Sequence, residues 1–314
     1  MEGRIRLALL GGDARQLPVA RRLAEGYEVL VWGLDGLLKE EASGVHVCAD
    51  WRQAIKGADA ILLPLPCSAD GVRVFAPYSA DAEGIRLDVL LGELKKDVLL
   101  LGGRLPEAMR RRAEERGVRW VDYLESEVLQ LRNALPTAEG AIAIAMRELP
   151  VTLDGACVAV VGYGRIGSLL AQKLRALGAE VTVYARRAEQ RALATLQGAK
   201  ALPLTDGEGR SCLSALPRGL RVLFSTVPHP LFSESVLRDF PRECLLVDLA
   251  SPPGGVDRAA AAALGIKTVW GSALPGRYAP ESAGEILGQT LAELLCERIS
   301  RPSAPCDENG KGGE

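Results

Sequence analysis

Three glycines in the second half of the chain have the spacing of a dinucleotide-binding turn. Gly162, Gly164 and Gly167 follow the apolar run CVAVV and open a stretch with helical periodicity. In this pattern the glycines permit a tight turn, close approach of a pyrophosphate to the backbone, and close packing of helix on strand. Because the first N–H groups of a helix are free to bind phosphate, we predict that Arg165 and Ile166 also contact the cofactor.

The end of the next predicted strand bears on which dinucleotide binds. Proteins that bind NAD usually carry Asp or Glu about 20 residues further on, where it accepts from the ribose 2′-hydroxyl. This chain has Arg186 and Arg187 there instead. Guanidinium groups bind a 2′-phosphate bidentately, so the sequence favours NADP and leaves NAD possible. The alternative is that both arginines are solvated surface charges.

The segment FSTVPHP is predicted to line the nicotinamide side of the same site. Ligands of parallel sheets bind beyond the carboxyl ends of the strands, and Thr226, Val227 and Pro228 follow such an end. His229, one of two histidines, has the chemistry of a general acid or base. It is equally interpreted as an exposed turn residue between two prolines.

Three further segments carry polar residues that a small acid would need. Asn133, Thr137 and Glu139 stand in NALPTAEG, at the start of a predicted bridging helix and at the expected cleft between domains. The alternative is an ordinary helix start with Thr137 as its cap and Glu139 favoured by the helix dipole. Asp248 ends a strand in VDLASPPGGVD, and Arg277 in LPGRYAPESAG is a candidate anion partner.

Apolar runs alternate with helical stretches along the whole chain. Near-continuous hydrophobicity is typical of parallel strands buried on both faces, so we predict an α/β fold with two doubly wound parallel-sheet domains, the second a Rossmann domain. The predicted strands cover residues 6–10, 28–31, 60–63, 98–101 and 118–121, then 157–161, 180–184, 199–202, 221–225, 244–248 and 266–269. The main predicted helices cover residues 14–24, 106–116, 138–149 and 283–299.

The predicted domains follow from these elements. Residues 1–135 form a substrate-side domain, 136–150 a bridging helix, and 151–275 the dinucleotide-binding domain. The C-terminal helix, 281–300, is assigned to the first domain, and 271–284 is predicted to be a Gly/Pro-rich loop. The polar tail, 301–314, is predicted to be disordered.

Composition argues against several classes of protein. The formal net charge of −2 gives no basic footprint for nucleic acid and no support for a membrane-surface role. The N-terminal apolar run is too short for a secretory or membrane-spanning segment, so we expect a cytoplasmic protein. Seven scattered cysteines without a C-x-x-C pair predict reduced thiols and no metal site.

The segments above, taken in order, resemble the A subunits of dipicolinate synthase, the enzyme of spore-forming bacteria that makes pyridine-2,6-dicarboxylate. The resemblance runs through GGDAR, LPCSADG, NALPTAEGAI, GYGRIG, VPHP, DLASPPGGVD and LPGRYAPESAGEI, and it covers residues 4 to 295. GxGxxG alone is generic, whereas the full series is specific. Ser225 stands where the family pattern has Asn, and His229 where it has a small residue.

The resemblance implies an activity and a partner. The family oxidises dihydrodipicolinate to dipicolinate in the mother cell late in sporulation, together with a flavoprotein-like B subunit. It therefore implies an oligomer and a small dicarboxylate substrate that needs donors at both ends. The candidate donors are Arg15, Arg104 and Arg277, with hydroxyl groups from Ser68 and Thr137. The candidate proton acceptors are Glu139, Asp248, His229 or a water molecule.

Two other readings of the sequence remain. The first is an NADP-dependent dehydrogenase of another small acid, similar to the shikimate or alanine dehydrogenases. The second is a non-catalytic subunit that binds NADP and supports a flavoprotein partner. Turnover with dihydrodipicolinate separates the first from the family activity, and NADP binding without hydride transfer is the signature of the second.

Overall fold

The computed structural model describes residues 4–37, 44–206, 208, 210–217, 219–251 and 253–299. It divides into two compact units. Unit 1 comprises the chain up to Leu129 together with the segment from Gly284 onward, and unit 2 comprises Gln130–Ala283. The boundaries therefore lie inside two helices. The predicted disordered tail, 301–314, lies outside the described residues.

Unit 1 is built on a parallel sheet flanked by helices. Its strands are β1 (Arg6–Leu10), β2 (Glu28–Trp32), β3 (Val45–Val47), β4 (Ala60–Leu62), β5 (Leu99–Gly102) and β6 (Arg119–Asp122). Its helices are α1 (Gln16–Ala24), α2 (Trp51–Ile55), α3 (Leu87–Glu93) and α4 (Glu107–Glu115). Successive side chains of β1 enter opposite cores, since Leu7 and Leu9 pack with α1 whereas Ala8 and Leu10 pack with α2 to α4. Both faces of this sheet are thus buried, as the apolar runs predict.

Unit 2 repeats the same plan. The long helix α5 (Glu127–Glu148) leads into it, and its strands are β7 (Cys157–Val161), β8 (Glu180–Ala185), β9 (Lys200–Pro203), β10 (Leu220–Ser225), β11 (Leu245–Asp248) and β12 (Thr268–Trp270). Its helices are α6 (Arg165–Ala176), α7 (Ala188–Leu196), α8 (Glu234–Arg238), α9 (Arg258–Ala263) and α10 (Leu274–Tyr278), and α11 (Pro280–Ile299) returns to unit 1.

Both sheets have the same strand order. The order is β3-β2-β1-β4-β5-β6 in unit 1 and β9-β8-β7-β10-β11-β12 in unit 2, with every neighbouring pair parallel. This is the 3-2-1-4-5-6 order of dinucleotide-binding domains, and its switch points lie between β1 and β4 and between β7 and β10. The predicted pair of doubly wound sheets is confirmed.

Three details differ from the sequence predictions. β3 is absent from the prediction because its three residues are too few to show a period. The loop predicted over 271–284 contains α10, which begins after the left-handed residue Ala273 despite the proline and glycine within it. The bridging helix begins at Glu127 rather than at 138.

The early start of α5 corrects the role assigned to Thr137. Pro136 lies inside the helix, where the missing N–H of a proline ordinarily ends or kinks helical structure. Here the helix continues, and Thr137 is an interior residue whose Oγ1 donates to the carbonyl of Asn133 at 2.7 Å. Thr137 is therefore not an N-cap. None of the helices in the described ranges is both long and apolar enough to cross a membrane.

Candidate functional site

The glycine turn between β7 and α6 has the geometry that a pyrophosphate requires. Gly162 has φ +95°, and a Cβ at Gly167 would overlap the carbonyl oxygen of Gly162, so helix and turn approach too closely for any side chain. Gly164 is the N-cap residue of α6, makes no side-chain capping bond, and has no atom within 4 Å of where its Cβ would be. The N-cap of α6 therefore leaves open space at its Cβ position, and the N–H groups and dipole at this helix end favour an anion.

The loop after β10 packs against this turn across the switch point. The backbone N–H and Oγ1 of Thr226 both donate to the carbonyl of Val161, at 2.9 and 3.0 Å. A Cβ on Gly162 would overlap Thr226 Oγ1 and lie 2.9 Å from Val227. Thr226, Val227 and Pro228 are thus brought together with the glycines, and Arg165 and Ile166 occupy the first turn of α6 as predicted from the motif.

The two residues that follow β8 are arginines rather than a carboxylate, and Glu189 and Arg191 come after them on α7. Arg186 and Arg187 are exposed, and within the described residues their guanidinium groups form no ion pair or hydrogen bond. Arg191, on the first turns of α7, donates from Nη1 to the carbonyls of Ala185 and Arg186 at 3.0 and 2.7 Å. Sequence reasoning missed Arg191, although it lies one helical turn after Arg187 and faces the same strand end.

The same helix also touches the glycine turn. Gln190 donates from its amide to the carbonyl of Tyr163 at 3.1 Å, and Tyr163 in turn donates from its hydroxyl to Gln197. Burial raises the pKa of Tyr163, so its hydroxyl keeps the proton that this bond needs. Helix α7 therefore ties the arginine-bearing strand end to the phosphate-binding turn.

Asp248 holds the loop that follows β11. Its side chain is buried, and its two oxygens accept from the backbone N–H groups of Ala250 at 3.1 Å and Gly255 at 3.0 Å. A Cβ on Gly254, which has φ +90°, would lie 2.6 Å from Asp248 Oδ2. Both oxygens of this candidate proton acceptor are therefore engaged by its own loop.

His229 lies on the loop after β10, next to the loop that Asp248 holds. A Cβ on Gly255 would lie 3.1 Å from the carbonyl oxygen of His229, and the N–H groups of Leu231 and Phe232 donate to the carbonyl of Gly255. The two loops thus form one packed edge beside β10 and β11. The imidazole is exposed and makes no hydrogen bond within the described residues.

Glu139 lies apart from the packed loops that follow β10 and β11. It forms an ion pair with Lys173 at 2.8 Å, and Lys173 belongs to the last turn of α6. From Arg165 to Lys173 the helix rises about 12 Å, so this pair lies far along α6 from the glycine turn. Asn133 and Thr137 share a turn of α5, where their mutual bond uses the Thr137 hydroxyl.

Arg277 is exposed on α10 and forms no ion pair within the described chain. A Cβ on Gly140 would lie 2.9 Å from Leu274, so α10 packs closely on α5 through this glycine. The hydroxyl of Tyr278 accepts from Arg147 at 2.9 Å, which fixes the other end of α10. Arg277 therefore stands on a short but anchored helix after β12.

In unit 1 the corresponding glycine turn is filled by the protein itself. Gly12 donates its N–H to the carbonyl of Phe75 at 2.7 Å, and a Cβ on Gly11 would lie 2.7 Å from the same oxygen. Arg15 is buried and forms a bidentate pair with Asp13 at 2.8 Å, and it also donates to the carbonyl of Leu65. The guanidinium of Arg15 is thus already paired, unlike the guanidinium groups of Arg186 and Arg187 in unit 2.

Ser68 participates in a tight local turn. Its hydroxyl donates to Asp70 at 3.0 Å and accepts from the N–H of Gly71 at 2.9 Å. The backbone N–H groups of Arg73 and Val72 lower the pKa of Asp70 to about 2, so the turn keeps its charge at neutral pH.

Arg104 follows β5 and has a left-handed backbone, with φ +57°. Asp122, at the end of β6, accepts from the N–H groups of Arg104 at 3.0 Å and Leu105 at 2.8 Å. Sequence reasoning missed Asp122. Yet the run WVD, which ends at Asp122, matches LVD, which ends at Asp248, and both aspartates hold a loop at a strand end. Among the described residues, no cluster of His, Cys, Asp or Glu could hold a metal ion.

Comparison with known proteins agrees with this architecture. Residues 6–124 match the family profile described as the N-terminal domain of the A subunit of dipicolinate synthase. Residues 133–206 match the NAD-binding domain of D-isomer specific 2-hydroxyacid dehydrogenases. Unit 2 therefore carries a nicotinamide dinucleotide-binding domain, which the open glycine turn fits.

Individual relatives extend over almost the whole chain. The A subunit of dipicolinate synthase from Bacillus subtilis (strain 168) is 30% identical over 294 residues, which are 93% of this chain and 96% of that protein. The crystal structure of the corresponding A subunit from Bacillus halodurans is 30% identical, with TM-score 0.82 over 93% of this chain and 97% of that one. A transhydrogenase from Sinorhizobium meliloti, 16% identical with TM-score 0.67 over 96% of both chains, shares the fold alone. The chain belongs to the family of dipicolinate synthase A subunits.

Proposed function

We propose that this chain is the dehydrogenase component of a dipicolinate synthase, and that it oxidises dihydrodipicolinate to dipicolinate with NADP⁺. The observation that carries the proposal is the open glycine turn of α6 beside Arg186 and Arg187, in a chain that belongs to this family. Family membership supports the substrate, and the missing carboxylate at the end of β8 supports NADP over NAD.

The chain's own groups would hold the dinucleotide at three points. The N–H groups that open α6 would bind the pyrophosphate, and a Cβ built on Gly164 would have no atom within 4 Å, so the N-cap itself leaves room for it. Arg186 and Arg187 bind the 2′-phosphate, and Arg191 holds the backbone from which they project. When bound, NADP⁺ would supply the hydride acceptor, and residues Thr226 to Pro228 would line its nicotinamide side.

The reaction transfers a hydride from the dihydropyridine ring to the cofactor and releases one ring proton. Of the candidate acceptors, Asp248 is engaged by two backbone N–H groups and Glu139 pairs with Lys173. His229 is exposed at the sheet edge without a side-chain partner in the described chain, so we assign the proton to its imidazole. Aromatisation of the ring supplies the driving force, and the protein orients the ring and excludes water.

Exposed guanidinium groups support a dianionic substrate. Arg104 and Arg277 make no ion pair within the described residues, whereas Arg15 is paired with Asp13. A carboxylate takes a guanidinium bidentately at low cost when neither group must leave another partner. We retain Arg15, Ser68, Asn133 and Thr137 as predicted substrate residues. The proposal also includes a partner, the flavoprotein-like B subunit, in the mother-cell cytoplasm, and an oligomeric enzyme.

The test mixes the purified chain with NADP⁺ and enzymatically generated dihydrodipicolinate, with and without the candidate B subunit. NADPH is followed by absorbance and dipicolinate by mass spectrometry. We expect formation of both products, either with this chain alone or with the pair. Tight NADP⁺ binding without any hydride transfer in the pair would overturn the proposal in favour of a non-catalytic subunit. Turnover of L-alanine or shikimate instead would overturn the substrate.

A further inference from the structure

Arg104 adopts a backbone conformation that an arginine ordinarily avoids. Among the described residues, only Arg104 and Ala273 combine a side chain with positive φ, at +57° and +52°. A β-carbon in this region is crowded by its own backbone, and glycine is the residue that fits without strain. The strained position itself is occupied by an arginine, although the residue directly before it is Gly103.

The strain is maintained by a buried carboxylate. Asp122, with 4% of its surface exposed, accepts from the N–H groups of both Arg104 and Leu105. Arg110 donates to the same carboxylate at 2.6 Å and compensates its charge. Cys67 donates from Sγ to the carbonyl of Arg104 at 3.6 Å, so the residue is held on both sides of its α-carbon.

Gly103, directly before Arg104, is tightly packed against Leu65 and Tyr123. A Cβ on Gly103 would lie 2.7 Å from both Leu65 and Tyr123, and the carbonyl of Gly103 accepts from the N–H of Cys67 at 2.8 Å. The turn therefore has almost no freedom to relax. Strained residues that the surrounding structure holds so firmly are concentrated at ligand-binding positions.

The side chain that this turn presents is free. Arg104 is exposed, and its guanidinium forms no ion pair or hydrogen bond within the described residues, whereas Arg15 pairs with Asp13 and Arg110 pairs with Asp122. Arg104 also follows the carboxyl end of β5, the edge where sheets of this order bind ligands.

We infer that Arg104 is the carboxylate-binding residue of unit 1 and that Asp122 positions it. The ligand class is a planar pyridine dicarboxylate, of which Arg104 binds one carboxylate through two parallel N–H···O bonds. This inference rests on the proposed function, which supplies the dicarboxylate. The firmly held turn sets the direction in which the Arg104 side chain leaves the backbone before the ligand arrives, which lowers the backbone entropy lost on binding.

The test titrates pyridine-2,6-dicarboxylate into the full chain saturated with NADPH, by calorimetry in metal-free buffer. We compare the wild type with Arg104→Ala, Arg104→Lys and Arg104→Gly, and measure the Tm of each. Loss of a charged bidentate contact should weaken binding about 10- to 100-fold in the Ala and Gly variants, with part of it restored in the Lys variant. The Gly variant relieves the strain, so its Tm should exceed that of the Ala variant by about 2–4 °C.

Asp122→Asn tests the positioning role. The amide keeps the shape of the side chain but loses its charge and one acceptor, so the turn at Arg104 loosens. We expect weaker dicarboxylate binding in the wild-type background and no further weakening in the Arg104→Ala background. Equal weakening in both backgrounds would overturn the positioning role, because a general loss of structure acts without regard to Arg104.

Two outcomes separate this inference from the proposed function. If the wild type binds the dicarboxylate and both Arg104→Ala and Arg104→Gly bind it equally well, the inference is overturned and the proposed function stands. If the dicarboxylate binds neither to the wild-type NADPH complex nor to that complex mixed with the candidate B subunit, the proposed function fails and the inference fails with it.

Discussion

Replacing Arg186 and Arg187 together by alanine should remove the preference for the phosphorylated cofactor. Neither guanidinium has an internal partner in the described chain, so no ion pair has to break before a 2′-phosphate binds. Each is exposed, and solvent reduces a charged contact there to about 1 kcal/mol. Two such contacts sum to about 2 kcal/mol, which corresponds to about a 30-fold loss of NADPH affinity. NADH affinity should stay within about twofold, since NADH has no phosphate at that position.

The assay is a fluorescence titration of NADPH and NADH against the wild type and the variant at two ionic strengths. Added salt should weaken NADPH binding to the wild type more than NADH binding, and this difference should shrink in the variant. Arg221→Ala is the matched control, because Arg221 lies near the amino end of β10, at the opposite edge of the same sheet. An unchanged ratio of NADPH to NADH affinity in the double variant, or a wild type that prefers NADH, would refute the assignment of the phosphate to these arginines.

Three other perturbations test neighbouring parts of the structure. Gly167→Ala should weaken both dinucleotides at least about tenfold in the same titration, because its Cβ would overlap the carbonyl of Gly162 and displace the turn. Asp248→Asn should lower the free energy of unfolding in urea by about 1–3 kcal/mol, because one of two buried N–H groups loses its acceptor. Burial raises the pKa of Cys67 from 9.0 to about 12. Between these two pH values the folded state keeps the Cys67 proton and the unfolded state loses it. The contribution of the buried thiol to the free energy of unfolding is therefore complete below pH 9 and is lost as the pH rises from 9 to about 12. Cys67→Ala should flatten that alkaline decline in urea unfolding.

Each of these expectations has a contrary result. Wild-type dinucleotide affinity in Gly167→Ala would mean that the turn accommodates a methyl group. An unchanged free energy of unfolding in Asp248→Asn would mean that the loop does not depend on the carboxylate of Asp248. An identical alkaline decline in Cys67→Ala would assign it to other groups.

Local pattern was enough to predict where a cofactor would bind. The glycine spacing after CVAVV, the two arginines in place of an acid, and the run FSTVPHP each occupy consecutive or nearly consecutive positions. A turn between a strand and its own helix is formed by neighbours in sequence, so its residues are visible without knowledge of the rest of the chain. The alternation of strands and helices likewise predicts the two doubly wound sheets.

The surroundings of Arg15 and Arg104 depend on residues far away in the sequence. In the sequence, Arg15 and Arg104 look equivalent, because each is an arginine shortly after the end of a strand. In the structure, Arg15 is paired with Asp13 in a turn that Phe75 covers, whereas Arg104 has a free guanidinium on a strained turn. The difference comes from Phe75 lying on the first turn and from Asp122 holding the second, and neither contact leaves a local periodicity.

The sequence by itself thus determined the fold class, the glycine turn between β7 and α6, and the absence of an acid directly after β8. Only the tertiary structure decided that α5 continues through Pro136, that Asp248 is engaged by its own loop, and that Glu139 pairs with Lys173 on α6. The physical reason is the range of the interactions. Turn and strand preferences act over a few residues, whereas the packing of one element on another decides that Glu139 meets Lys173, 34 residues further along the chain.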